Sequence, residues 1–304
     1  MATESSDPAP EAPEPIGGSS LTGSGMLYVV ATPIGNLGDI TLRARETLAQ
    51  VSVVAAEDTR RARSLLSHLG ISGKRFLCVD AHASVGVLEK LAQKLSEGER
   101  VALLTDAGTP SVSDPGCALV RLCRERNIPV TPIPGPSAVT TAIAASGLVD
   151  GAFLFLGFLP RKGEKRQKAL QRIRRTAEAV VLFESPNRTH ALLKDLAQEM
   201  PERLLCVARE LTKKFEEVRV KPLREWAEFE AEVRGEVTLV LAPAADAPAE
   251  ESGARDVREL MADLLERGMS AKDASAHLAL ATGTSKRDLY QLALEHRATG
   301  QKTE

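Results

Sequence analysis

Aromatic side chains are scarce in this chain: seven Phe, two Tyr and one Trp, 3% of 304 residues. Ring stacking is therefore a minor means of holding any ligand, and Phe158 and Tyr290 are the candidate platforms. Cysteine is scarce too, and Cys78, Cys117, Cys123 and Cys206 show no CxxC spacing. That pattern argues against a zinc site and fits a reduced, cytoplasmic setting. No apolar run approaches the ~18 residues of a membrane-spanning helix. The opening MATESSDPAPEAPEPIGGSS has neither a basic start nor an apolar core, so it is not expected to be a secretory signal. Its Pro, Ala, Glu and Ser content predicts a disordered tail over residues 1–25. The chain also lacks GxGxxG and GxxxxGK[ST], which disfavours nicotinamide enzymes and phosphate-cradling NTPases.

What is present is alternation. Short apolar runs at 27–31, 51–55, 75–79, 101–105 and 129–133 predict strands. Amphipathic stretches at 40–50, 60–70, 85–98, 117–126 and 137–145 predict the helices between them. Such a pattern specifies an α/β fold with a mostly parallel N-terminal sheet covered on both faces. A second half follows. Strands are expected at 153–157, 179–183, 204–208, 217–221 and 237–241, with helices at 162–176, 189–200 and 222–230. Its strands lie closer together along the chain, which predicts a mixed second sheet. The expected domains are 26–148 and 149–243, with a ligand cleft between them. An Ala-, Pro- and acid-rich linker (244–254) leads to a small helical domain (255–304) with helices at 255–267, 271–281 and 285–296. Ser270 and Thr284 suit helix N-caps, Gly268 and Gly283 punctuate, and the whole resembles a helix-turn-helix unit.

Four predicted strand ends carry loops rich in Gly, Pro and acids: residues 32–39, 57–60, 105–116 and 134–137. In a parallel sheet these gather on one rim, where ligands of open α/β sheets bind. Each loop alone would pass as an ordinary turn, since Gly and Pro are the usual turn residues; four together point to a site. Ser137 at a helix start offers free N–H groups to an anion. Asp39, Glu57, Asp58 and Asp106 are candidate proton acceptors, with helix capping the alternative for Asp39, Asp58 and Asp114. Arg60 can pair with an adjacent acid or hold a phosphate. Of five His, only His82 falls near a strand end. Residues 161–175 (RKGEKRQKALQRIRR) hold eight Lys or Arg against the single acid Glu164. A solvated helix face is the bland alternative; salt-sensitive phosphate binding is preferred. Arg209, Lys213 and Lys214 can extend that surface, with Glu210 as a partner or a catalytic acid. Lys286 and Arg287 offer a further basic contact in the last helix, where a plain packing role is equally open.

Several runs then identify a family in order: VATPIGNLGDIT, AAEDTR, LLTDAGTPSVSDPG, PIPGPSAVTTAIAASGL, GFLPRKGEKR, FESPNR and ARELTKKFEE. The chain resembles the bacterial 16S rRNA (cytidine 2′-O)-methyltransferases of the tetrapyrrole methylase superfamily. The resemblance covers roughly residues 26–241, and the last helices look like that family's C-terminal domain. It implies a two-domain fold with S-adenosyl-L-methionine in the cleft, a homodimer, and methylation of a ribose 2′-hydroxyl on a decoding-region cytidine of the small subunit. It implies a donor site at Pro33, Gly35, Asn36, Asp106, Ala107, Gly108, Thr109, Ser137, Ala138, Phe183, Glu184, Gly235 and Val237. Catalytic candidates are then Asp39, Glu57, Asp58 and Glu210. RNA-binding candidates are Arg60, Arg161, Lys162, Lys165, Arg166, Arg172, Arg175, Arg209 and Lys213. No metal is implied. In one departure, His82-Ala83-Ser84 stands where the family usually has His-Asn-Glu. The alternatives are a tetrapyrrole C-methyltransferase, which would not need the basic run, and a non-catalytic RNA-binding module, which would leave the loops unexplained.

Overall fold

The structure, a computed structural model, describes residues 25–227, 235–244, 257–266, 269–282 and 284–300. The expected tail up to residue 24, the linker beyond Ala244, Gly268 and Gly283 lie outside them. The chain forms two compact units, one up to Ala244 and one from Ala245.

The first sheet contains β1 (Met26–Val30), β2 (Val53–Ala56), β3 (Arg75–Cys78), β4 (Arg100–Leu104) and β5 (Val130–Ile133) in the order β3-β2-β4-β1-β5. Every pairing is parallel. Strand residues point alternately to opposite faces, and both faces are apolar here. Leu27, Val53, Ala55, Val101 and Leu103 pack on one side with α3 (Val85–Ser96) and α4 (Cys117–Glu125). Tyr28, Val30, Val54, Ala56, Ala102 and Leu104 pack on the other with α1 (Leu42–Gln50) and α2 (Thr59–His68). This explains why β2 and β4 read as unbroken apolar runs. Each fully buried Leu contributes roughly 1.5–3 kcal/mol.

Helix starts follow their caps. Thr41 accepts the Ala44 N–H at 3.1 Å, so α1 begins at Leu42 and a 3-10 turn occupies Leu37–Asp39. Asp58 caps α2, whereas α4 is preceded by Gly116 and not by Asp114. The capping role considered for Asp39 and Asp114 is therefore not the one they have.

The second sheet is mixed. It runs β6 (Phe153–Phe158), β7 (Ala179–Glu184), β10 (Val237–Leu241), β8 (Leu204–Arg209), β9 (Glu217–Pro222), with only β6 and β7 parallel. One face carries Val180, Leu182, Leu205, Val207, Leu239 and Leu241 against α6 (Glu164–Arg175), α7 (Pro186–Glu199) and α8 (Leu223–Ala227). α7 starts three residues earlier than the sequence pattern suggests because Pro186 follows Ser185 and suits a first helical position. The opposite face, with Val181, Cys206, Ala208 and Val240, packs on Val139 and Ala142 of α5 (Ala138–Ser146) and on Ile34 and Leu211. Ile34 and α5 come from the first sheet's rim, so this shared core sets that rim against the second sheet.

The second unit contains α9 (Val257–Glu266), α10 (Ala271–Thr282) and α11 (Lys286–Gly300) around Met261, Ala274, Leu278, Leu289 and Ala293. Ser270 caps α10, accepting the Asp273 N–H at 3.1 Å. No described helix is long and apolar enough to cross a membrane.

Candidate active site

The loop after β4 is tied to its neighbours by backbone. Thr32 and Gly108 exchange N–H to C=O bonds of 2.8 and 3.0 Å, and the Thr32 hydroxyl donates to the Thr105 carbonyl at 3.2 Å. Thr109 Oγ1 donates to the Pro136 carbonyl at 3.4 Å. Three of the four rim loops are thereby laced together. Within this loop Ser111 (φ 71°) and Ser113 (φ 63°) adopt left-handed backbone, as do Gly108 and Gly116. Each such non-glycine residue costs on the order of 1–3 kcal/mol, a cost often met at functional sites.

Beneath the loop lies a cavity of about 310 Å³. Its walls come from both sheets: Ile34, residues 107–109 and 112–114, Ser137 and Ala138 from one side, and Phe158, residues 183–186 and 236–238 from the other. Phe183 meets Phe155 edge-on at 5.1 Å and Phe158 at 5.6 Å, giving one apolar wall. The α5 N-terminus opens here, and the Ser137 side chain does not cap it, so leading N–H groups remain available to an anion. Glu184, with a fully buried side chain, accepts the Ser185 N–H at 2.7 Å and pairs with Arg188 at 2.8 Å. An apolar slot, an uncapped helix start and carboxylates suit a ligand carrying a flat base, a carboxylate and a cationic centre. S-adenosylmethionine has these three parts.

Four acids surround the base of the loop, in different environments. Asp58 bonds the Arg60 N–H at 2.8 Å and its guanidinium at 2.6 Å, which holds its carboxyl down at about 2. Asp106 accepts the Asp58 N–H at 3.1 Å, pairs with Arg61 at 3.4 Å, and faces a smaller cavity of about 190 Å³ with Thr32, Pro33 and Leu37. Glu57 accepts the Thr105 hydroxyl at 3.1 Å. Asp114 is pushed up to about 6, first by burial and then by the charges of Glu57 and Asp106, against a Thr105 hydrogen bond that lowers it.

At the far wall Lys213 pairs with Glu210 (2.9 Å) and Glu236 (3.2 Å). Glu210 also accepts the Glu236 N–H at 3.2 Å. The Lys213 ammonium lowers the Glu210 carboxyl against opposing burial. A Cβ on Gly235 (φ 83°) would run into Glu210, and one on Gly35 would lie 2.5 Å from Lys213 Cγ.

The sequence profile of the Tetrapyrrole (Corrin/Porphyrin) Methylases matches residues 26–227. The chain belongs to that family. A second profile, the RsmI C-terminal HTH domain, matches residues 251–297. The chain is similar to the Ribosomal RNA small subunit methyltransferase I of Synechocystis sp., 42% identical over 91% of this chain and 100% of that one. It is equally similar to that of Escherichia coli O157:H7, 42% identical over 90% of this chain and 96% of that one. Among solved structures it resembles the methyltransferase CobJ (TM-score 0.55, 21% identity, 73% of this chain and 95% of that one). It also resembles uroporphyrin-III C-methyl transferase from Thermus thermophilus complexed with S-adenyl homocysteine (TM-score 0.51, 20% identity, 72% of this chain and 97% of that one). It is an S-adenosylmethionine-dependent methyltransferase.

Within this methylase the expected residues are distributed as follows. Ala107, Gly108, Thr109, Ser137, Ala138, Phe183, Glu184 and Val237 line the main cavity. Pro33 and Asp106 line the smaller one. Gly35, Asn36 and Gly235 line neither; Asn36 caps the 3-10 turn, accepting the Gly38 N–H at 2.9 Å. The catalytic candidates Asp39, Glu57, Asp58 and Glu210 also lie outside the main cavity's lining. Of the RNA candidates, Arg60 is held by Asp58, Arg209 by Glu217, Lys213 by Glu210 and Glu236, and Arg166, its side chain only 12% exposed, by Asp195. Arg161, Lys162, Lys165, Arg172 and Arg175 are exposed and make no ion pair among the described residues. Sequence reasoning missed Ile34, Val112, Ser113, Asp114, Ser185, Pro186 and Thr238 in the cavity lining. For Asp114 the signal was present: it shares one loop with Ala107, Gly108 and Thr109.

Proposed function

We propose that this chain transfers a methyl group from S-adenosylmethionine to small-subunit ribosomal RNA, at the 2′-hydroxyl of a decoding-region cytidine. Support for an RNA substrate comes from α6. Lys165, Arg172 and Arg175 fall on one side of the helix, away from the buried Ile173, and make no ion pair among the described residues. Arg161 and Lys162 continue that charge towards Phe158 at the cavity wall. A tetrapyrrole precursor would not need this stripe. The solved uroporphyrin-III C-methyl transferase resembles this chain in fold alone, whereas the rRNA methyltransferases match at 42% identity over about 90% of the chain.

When bound, the donor supplies an electrophilic methyl on a sulfonium. The chain's part is to hold and align. Residues 107–109 and the α5 N-terminus would hold the donor's amino-acid end and the Phe183 wall its adenine, while Glu184 fixes the Ser185 backbone. Excluding water and aligning the two reactants provide much of the rate in a displacement of this kind. Val237 lines the cavity's far wall, and Asp106, at the start of the donor loop, is tied to the Asp58 N–H. The protein acts in the cytoplasm as a homodimer, which sedimentation at micromolar concentration checks.

Labelled S-adenosylmethionine incubated with small ribosomal subunits tests the proposal. Label on one cytidine, resistant to alkaline cleavage at its 3′ side, is expected. Label on a base, or only on a porphyrinogen precursor, overturns it.

A further inference from the structure

The main cavity contains three carboxylates among its described lining residues: Asp114, Glu184 and Glu236. Glu184 is committed to Arg188 and to the Ser185 N–H, and Glu236 pairs with Lys213. Asp114 has no cationic partner among the described residues. Just outside the cavity, Asp106 is paired with Arg61 and Asp58 with Arg60. Asp114 is also the cavity's only carboxylate that borders a second groove, of about 210 Å³, formed by residues 79–81 and 83, Leu88 and the start of α4. It therefore stands where a second molecule could reach the main cavity.

We propose that Asp114 is the proton acceptor for the attacking ribose hydroxyl. The inference rests on the 2′-O-methylation proposed above. In the step, the hydroxyl oxygen forms a bond to the donor methyl, and the sulfur–methyl bond breaks with its electron pair going to sulfur, leaving a neutral thioether. The hydroxyl proton moves to the Asp114 carboxylate. A base is useful here because a neutral hydroxyl is a weak nucleophile.

The groups around Asp114 favour this role. Glu57, from the segment between β2 and α2, and Asp106, from its own loop, both raise its affinity for a proton. Arg61 of α2 neutralises part of Asp106. Asp80 lines the second groove, while Glu184 and Glu236 line the cavity; no described Lys or Arg lines either space. A carboxylate with a pKa near 6 is still mostly ionised at pH 7 yet is more basic than a solvated aspartate.

The test uses the full chain, S-adenosylmethionine and small ribosomal subunits under single-turnover conditions. Asp114→Asn should bind S-adenosylmethionine within about twofold of wild type but transfer methyl about 10²–10⁴-fold more slowly. The wild-type rate should rise with pH to a plateau, with a midpoint near 6. Glu57→Gln, by removing a like charge, should move that midpoint lower. Transfer by Asp114→Asn within tenfold of wild type, lost donor binding, or an unmoved midpoint in Glu57→Gln overturns the proposal. Should Asp114→Asn fail to fold, the wild-type and Glu57→Gln profiles decide it. A wild type that binds the donor but leaves the ribose unmethylated brings down the functional proposal itself, an outcome distinct from a slow variant beside an active wild type.

Discussion

Asp114 and Asp106 are eight residues apart in one loop, yet their surroundings separate them. Asp106 has an arginine and a backbone N–H; Asp114 has burial and two neighbouring negative charges. In sequence Asp106 is one candidate acceptor at a strand end; partners far apart in the chain set the environment of each acid, and one sequence does not reveal them. The environment of Asp114 also bears on stability. Its folded pKa lies above the ordinary 3.8, so the native state holds the proton more tightly than the unfolded chain. That contribution is fully present below about pH 4 and is lost as pH rises through about 6. Asp114→Asn should therefore raise stability at pH 8 by about 1 kcal/mol, a figure reduced for solvent screening at a half-buried site. Denaturation in urea at pH 5 and pH 8 checks this: the gain should shrink at the lower pH. Gly116 poses a separate limit, because at φ 127° its added Cβ would lie 2.8 Å from Leu103 Cδ2. Gly116→Ala should cost roughly 1–3 kcal/mol in the same assay.

The helices were legible from their period and caps, and the strands from their apolar runs, because burial on both sheet faces imposes those patterns directly. Which charges on a helix remain free was not legible. In α6, Arg166 and Arg172 look alike in sequence. Arg166 turns inward to Asp195 and the Pro160 carbonyl, while Arg172 stays exposed without an ion pair. The two should respond differently. Reversing Lys165, Arg172 and Arg175 to Glu should change folding stability by less than about 1 kcal/mol, as surface changes usually do, and leave donor affinity unaltered. RNA affinity should fall, and the slope of log affinity against log salt should flatten by about 2 as three phosphate contacts are lost. Arg166→Glu should instead lower stability by roughly 3 kcal/mol, because it leaves Asp195 facing a like charge in a partly buried site. Filter binding at several salt concentrations, paired with thermal melts, separates the two classes. If the triple variant binds RNA with the wild-type salt slope, α6 is not the phosphate contact.

At the scale of the whole first unit, the cavity exists only because two sheets of different topology meet along one line, and no local pattern in the sequence encodes that meeting. One close approach across that junction is at Gly157, near the end of β6. A Cβ there would sit 2.5 Å from the Ser113 hydroxyl oxygen, on backbone that is already left-handed at φ 59°. Ser113 and Phe158, its next neighbours on either side of the junction, both line the cavity. Adding a methyl group should therefore act on the cavity before it acts on either sheet's core, since those cores are built from residues packed elsewhere. Gly157→Ala is expected to weaken S-adenosylmethionine binding about tenfold, near 1.4 kcal/mol, with far-ultraviolet circular dichroism unchanged. Part of that loss comes from contact with Ser113 and part from backbone strain, and a double-mutant cycle separates them. Ser113→Gly removes the contacting hydroxyl and relaxes its own positive φ, so the double variant should recover the contact part but not the strain at residue 157. Calorimetric titration of the four proteins gives the coupling directly. A coupling of zero would mean that the two halves do not touch at this point and that the cavity's width is set elsewhere.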